Sequence, residues 1–184
     1  MKELTQLIKD CSAGKPSAQA QLYNLYASTM FGVCMRYSKD QTEAEDNLQE
    51  GFIKVFQKID SFRHQGSFEG WVRRIMVNVS LAKFRKQTKL YPVEDMSQYD
   101  NAEEEEALEA DLSANDLMQL IRELPPRYRM VFNLYVFESM NHKEIAQELG
   151  ISEGTSKSNL ARARIILKHR VRNELLGAEN NNTA

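Results

Sequence analysis

Apolar side chains return along this chain at helical spacing, and no segment keeps the period-two alternation of a half-buried strand. Leu22, Leu25, Tyr26 and Met30 form one stripe, Leu48, Phe52, Val55, Phe56 and Ile59 a second, and Leu117, Leu120, Ile121 and Leu124 a third. The pattern predicts an all-α fold. Gly66 and Gly70 around Ser67 and Phe68 interrupt it, which predicts a loop over residues 63–70 and a new helix from near Trp71 to about Lys89. From Tyr91 to Asp111 the apolar period is lost. Pro92 and the run Glu103 to Glu106 leave little to bury there, so a flexible linker is expected. The expected organisation is two small helical domains, residues 1–90 and 112–184, joined by a flexible acidic linker over 91–111. Pro125 and Pro126 end the first helix of the second domain, and a disordered tail is expected from about residue 177.

The sharpest local signal is the stretch from Asn141 through Ile145, Ala146, Leu149, Gly150 and Ser152 to Thr155, which has the form of a helix-turn-helix and leads into a basic helix to about Arg172. Small Ala146 permits close helix approach, Gly150 supplies a positive-φ turn, and Ser152 can cap the following helix. Taking Leu160 as the buried direction, Thr155, Ser158 and Arg162 point nearly the opposite way, with Lys157 and Asn159 on the flanks. Such side chains suit a DNA major groove, with Arg162 available to guanine or phosphate. A helical hairpin with a solvated basic face is the plainer alternative.

Charge sharpens this picture. The net charge of −2 across 184 residues hides strong segregation. Residues 61–90 carry seven Lys and Arg against Glu69 alone, residues 91–112 carry nine acids and no base, and residues 150–172 carry six bases against Glu153 alone. Two cationic blocks around an anionic stretch fit two nucleic-acid contacts. In the first block, Phe62, Phe68 and Trp71 interleave with arginines, and Trp71, Arg74, Asn78, Ala82 and Arg85 fall within about 80° on one helix face. Aromatic and guanidinium groups together suit an unstacked base or a single strand. Core packing is the ordinary role of each aromatic, with Phe68, set among glycines, expected to be the exception.

A third feature is acidic. Glu43, Asp46 and Glu50 lie within about 60° of one another, opposite the Leu48, Phe52, Val55 and Ile59 stripe. Two readings stand, a solvated helix face and a docking surface for a basic protein. No membrane span or signal-peptide pattern is present in the sequence, and the expected location is the cytoplasm. Cys11 and Cys34 cannot build a disulfide framework, and with three histidines elsewhere they show no zinc spacing, so no metal or other cofactor is expected.

Together, from about Ala18 to Leu176, these segments resemble the extracytoplasmic-function sigma factors of bacterial RNA polymerase. Glu43-Ala-Glu-Asp-Asn-Leu-Gln-Glu-Gly-Phe52 is similar to that family's acidic region-two helix. Phe62-Arg-His-Gln-Gly-Ser-Phe-Glu-Gly-Trp71, through Arg74, Ile75 and Asn78, is similar to its promoter-melting segment. Leu124-Pro-Pro-Arg-Tyr-Arg129 and the helix-turn-helix to Arg164 are similar to its region four. The resemblance implies a specificity subunit without an active site that binds core polymerase, recognises both promoter elements and promotes melting. It implies that Glu43, Asp46, Gln49 and Glu50 dock on the polymerase clamp helices. Arg63, Gln65, Ser67, Phe68, Trp71, Arg74, Asn78 and Arg85 would hold the minus-ten element, with the loop capturing a flipped base. Thr155, Lys157, Ser158, Asn159 and Arg162 would face the minus-thirty-five element while the same domain meets the polymerase flap. An anti-sigma partner is also expected, and no membrane insertion. Asn47, Ala82, Ser156 and Asn159 depart from the family's usual residues.

Two rivals differ in what they require. An ordinary transcription regulator would use the helix-turn-helix without polymerase and would leave the Glu43 to Glu50 ridge idle. A small helical enzyme built on Glu43, Glu45, Asp46 and Glu50 would lack an accompanying histidine, nucleophile or cofactor motif. The anionic stretch has a reading of its own, mimicry of nucleic acid against the two cationic blocks. Substituting Glu103 to Glu106 with Gln is then expected to tighten promoter binding by the isolated protein, and unchanged affinity at low salt would make the stretch a spacer.

Overall fold

The computed structural model describes residues 2–90 and 113–181, which divide into two compact units, Met1–Lys86 and Gln87–Ala184. The expected linker over 91–111 lies outside the described residues. Among those described there are only helices and their connections, as the apolar period predicts.

The first unit holds α1 (Lys2–Ser12), α2 (Pro16–Tyr37), α3 (Gln41–Lys58), a 3-10 turn (Ile59–Ser61) and α4 (Phe68–Leu90) as far as Lys86. Pro16 starts α2, where its missing N–H costs nothing. Helices α2 and α3 pack together, burying Leu22, Tyr26, Met30 and Val33 from one and Ala44, Leu48, Phe52 and Val55 from the other. Asp40 caps α3 by accepting from the Glu43 N–H at 2.8 Å. Asn47, which breaks the apolar stripe of α3, is buried and donates to Ser38 Oγ at 2.9 Å, and Ser38 Oγ donates to the Cys34 carbonyl at 2.9 Å. A polar residue is thus accommodated because it helps close the end of α2. Gly51 leaves room for the buried Met76 side chain of α4, which a Cβ there would strike. Cys11 and Cys34 are both buried, and burial pushes the Cys34 thiol up to about 12, so neither behaves as a reactive thiolate.

Three expectations need correction. Leu25 is 59% exposed, because it lies about 100° from the centre of the arc formed by Ala18, Leu22, Tyr26, Met30, Val33, Cys34 and Tyr37. The loop ends earlier than expected and α4 begins at Phe68, since Ser67 Oγ accepts the Gly70 N–H at 3.1 Å and caps the helix. The last helix continues to Asn181, four residues beyond the expected onset of a disordered tail at 177.

The second unit holds α5 (Ala114–Arg122), α6 (Pro126–Val136), α7 (His142–Leu149) and α8 (Glu153–Asn181). Its core joins Leu120, Ile121, Leu124 and Tyr128 to Ala163, Ile166 and Leu167 of α8. Buried Arg129 donates to the Arg122 carbonyl at the end of α5, where free carbonyls favour a cation. The turn between α7 and α8 forms as expected, with Gly150 at φ 67° and Ser152 Oγ accepting the Thr155 N–H at 3.0 Å. Asn141 and Glu144 make a reciprocal capping box at the start of α7. Asn141→Ala is expected to lower stability by about 1 kcal/mol in thermal or denaturant unfolding of the full chain, and Asn141→Ser to restore most of it.

Candidate nucleic-acid interface

In α4 the buried residues Phe68, Val72, Met76, Val77, Val79, Ser80 and Leu81 spread over more than half of the helix circumference. A narrow strip is left to solvent. It contains Arg74, Asn78, Ala82 and Arg85, all exposed, with half-buried Trp71 at its start, which is the grouping the helical angles predict. The preceding loop exposes Arg63, Gln65 and Ser67. His64 stands at φ 56°, an uncommon conformation for a residue with a Cβ, and Gly66 at φ 93°. These two positions curl the loop back over the aromatic residues.

Phe68 is corrected here. It is 4% exposed, packed against Tyr26 (5.8 Å between ring centroids), Phe62 (5.1 Å) and Trp71 (5.5 Å, stacked). As the first residue of α4 it points inward, and the flanking glycines serve the loop and the capped turn rather than its exposure. The cluster fixes the loop, and the rings left partly open to a ligand are Trp71, Phe62 and exposed His64, whose ring lies 4.7 Å from that of Phe62. The Ser67 hydroxyl is engaged in the cap.

On α3, Asp46 and Gln49 are exposed as predicted. Glu50 pairs with Lys54 at 2.6 Å across one helical turn, and Glu43 accepts the Lys39 backbone N–H at 2.7 Å, so part of its carboxylate capacity serves the α2–α3 turn. Sequence reasoning missed Ile53, 56% exposed and on the same face as Asp46, Gln49 and Glu50. Its position off the Leu48, Phe52, Val55 and Ile59 stripe was the available signal.

In α8 the buried residues Ser156, Asn159, Leu160, Ala163, Ile166 and Leu167 centre about 60° away from Leu160 alone, which rotates the exposed face from the predicted one. Lys157, Ser158, Ala161, Arg164 and Lys168 form that face. Asn159 is corrected: at 7% exposed it lies on the inner side. Thr155 and Arg162 are at the margin. The Thr155 hydroxyl bonds Ser152 Oγ at 2.9 Å, and the Arg162 guanidinium donates to the Tyr128 hydroxyl at 3.5 Å. The three groups of predicted residues therefore occupy three separate faces, one on α3, one on the loop and α4, one on α8. Among the described residues no cluster of metal-ligating side chains occurs and no helix is long and apolar enough to cross a membrane.

Residues 22–90 match sigma-70 region 2, and residues 114–167 match sigma-70 region 4. The ECF RNA polymerase sigma factor SigW of Bacillus subtilis is 30% identical over 177 residues, covering 90% of this chain and 95% of SigW. SigM of the same organism, also an ECF RNA polymerase sigma factor, is 30% identical over 80% of this chain and 91% of its own length. Among solved structures, the sigma factor RpoE of Bartonella quintana, in complex with the anti-sigma factor NepR, aligns over 82% of this chain and 94% of that one with a TM-score of 0.49 and 22% identity.

The difference between Phe68 and its exposed neighbours is measurable. Phe68→Ala is expected to cost ~3–5 kcal/mol in denaturant unfolding, while Arg74→Ala and Asn78→Ala should change stability by less than about 0.5 kcal/mol.

Proposed function

The chain belongs to the extracytoplasmic-function RNA polymerase sigma factors, and from that premise we propose which surfaces carry each part of the work. A sigma factor binds core polymerase, recognises the minus-ten and minus-thirty-five promoter elements and promotes melting; it is an initiation factor, not a catalyst. Here the α3 ridge docks on the polymerase, with Asp46 and Gln49 giving polar contacts, Glu50 a carboxylate shared with Lys54, and Ile53 the apolar anchor that such interfaces place among polar neighbours. Glu43 contributes chiefly by holding the turn that presents them.

The loop and the α4 strip take the minus-ten element. Arg63, Arg74 and Arg85 meet phosphates, Asn78 and Gln65 offer amide donors and acceptors to a base edge, and Trp71 provides a ring face. Ser67 acts through the capped turn that orients the loop. Taking one base out of the stack costs a few kcal/mol, which contacts of this kind can offset without ATP. On α8, Lys157 and Ser158 face the minus-thirty-five groove, with Thr155 and Arg162 at its edge. Asn159, turned inward, is a packing residue of the helix-turn-helix and not a DNA contact. The factor works in the cytoplasm, where its polymerase is, and an anti-sigma antagonist is among its partners.

The exposed strip of α4 carries this reading: Arg74, Asn78 and Arg85, with half-buried Trp71 at its start, share one solvent-facing side, and these residue types suit a nucleic-acid strand. Specific transcript from promoter DNA on adding the purified protein to core polymerase is the expected result, and its absence would overturn the reading. An Asp46→Arg, Glu50→Arg pair should abolish initiation while the protein stays folded, and Ile53→Asp should weaken polymerase binding by tenfold or more.

A further inference from the structure

Three helices of the second unit meet through a chain of polar and aromatic contacts that no part of the helix-turn-helix pattern requires. Ser156, fully buried on α8, lies 2.9 Å by its Oγ from Nδ1 of His142 at the start of α7. The His142 ring stacks on Tyr135 of α6, with centroids 5.1 Å apart and planes at 26°. The guanidinium carbon of Arg164 lies 5.7 Å from the centroid of the same tyrosine, within cation–π range. Arg164 returns the chain to α8, on the face shared with Lys157, Ser158, Ala161 and Lys168.

From this geometry we infer that Arg164 is a DNA-phosphate contact of the second unit and that Tyr135, fixed by His142 and Ser156, is its positioning residue. The inference rests on the reading that α8 enters a major groove. Arg164 lies seven residues beyond Lys157, about 10 Å further along the helix axis, and the groove is about 12 Å wide. If Lys157 and Ser158 stand over base edges near the helix start, Arg164 arrives at the groove wall, where the backbone phosphates are. An exposed arginine ordinarily loses rotamer freedom when it captures a phosphate. The tyrosine face restrains the guanidinium beforehand, and Arg164 stays exposed. Tyr135 is itself 37% exposed, a large ring kept at the surface between His142 and Arg164. Ser156 completes the device: an apolar residue there would pack as well but would leave the imidazole without its bond to α8.

The test uses holoenzyme assembled from core polymerase and the full chain, with promoter affinity measured as a function of salt. Arg164→Ala should lower affinity and reduce the log–log salt slope by about one unit, and Arg164→Lys should restore the slope while recovering affinity only in part. Tyr135→Phe should bind like the wild type. Tyr135→Leu should weaken binding three- to tenfold with the slope kept, and should have no further effect once Arg164 is Ala. An unchanged slope in Arg164→Ala, or equal losses from Tyr135→Leu with and without Arg164, would overturn the inference while leaving the sigma-factor reading intact. Lack of specific promoter binding by wild-type holoenzyme would remove both.

Discussion

Cationic side chains clustered along one helix repel one another, and α4 and α8 hold theirs in place only because the rest of each helix is buried. Arg74 and Arg85 on α4, and Lys157, Arg164 and Lys168 on α8, occupy the solvent-facing side of helices whose opposite side sits in a core. Like charges at short helical spacings destabilise an isolated helix by a few tenths of a kcal/mol per pair. Burial of a single Leu, Ile or Phe contributes about 1.5–3 kcal/mol, so the apolar arc outweighs the repulsion several times over. The balance lets the protein present cationic side chains on a rigid support, and binding to phosphates exploits such cations through release of counterions.

The buried polar residues follow the same logic at points where helices must meet at a fixed register. Asn47 with Ser38, Ser156 with His142, and Arg129 with the Arg122 carbonyl each join one element to another by a directed bond. Apolar packing tolerates small slips; a hydrogen bond between buried groups does not, because a shift leaves both groups unsatisfied at a cost of about 1–3 kcal/mol. Two of these positions, Asn47 and Ser156, are those where the chain departs from its family's apolar habit. Ser38 accepts the Asn47 amide N–H and Ser156 bonds the His142 ring, which accounts for a polar residue at each position.

Much of this is legible in the amino-acid sequence. Helical period and proline positions reveal that the described residues are helical. The side of α4 bearing Trp71, Arg74, Asn78 and Arg85 follows from 100° per residue, as does the exposure of Asp46. The misplaced residues share a cause. A local pattern points Leu25 inward and Phe68 and Asn159 outward, whereas the buried arc of a helix is set by every neighbour that packs on it. A single reference residue, Leu160, misjudges the arc of α8 by about 60°, enough to move Asn159 inward and bring Arg164 out. Ser67 as a cap is readable in principle, since Ser followed by a helix-forming stretch is a start signal, but the glycines around it signal a loop just as strongly.

The docking proposed for the α3 ridge illustrates why charge alone is a poor description of such a face. Exposed ion pairs contribute about 0–1 kcal/mol each, since both partners give up water and side-chain freedom. In the proposed docking, Asp46 and Glu50 therefore set orientation and encounter rate more than residence time. Ile53 supplies what they lack: apolar area that gains by leaving water, surrounded by polar groups that penalise any partner of the wrong shape or sign. An acidic helix without it would attract many basic proteins weakly. With it, the ridge distinguishes a partner whose cations flank an apolar recess from one that is merely positive, so specificity resides in the mixture of residues rather than in the carboxylates.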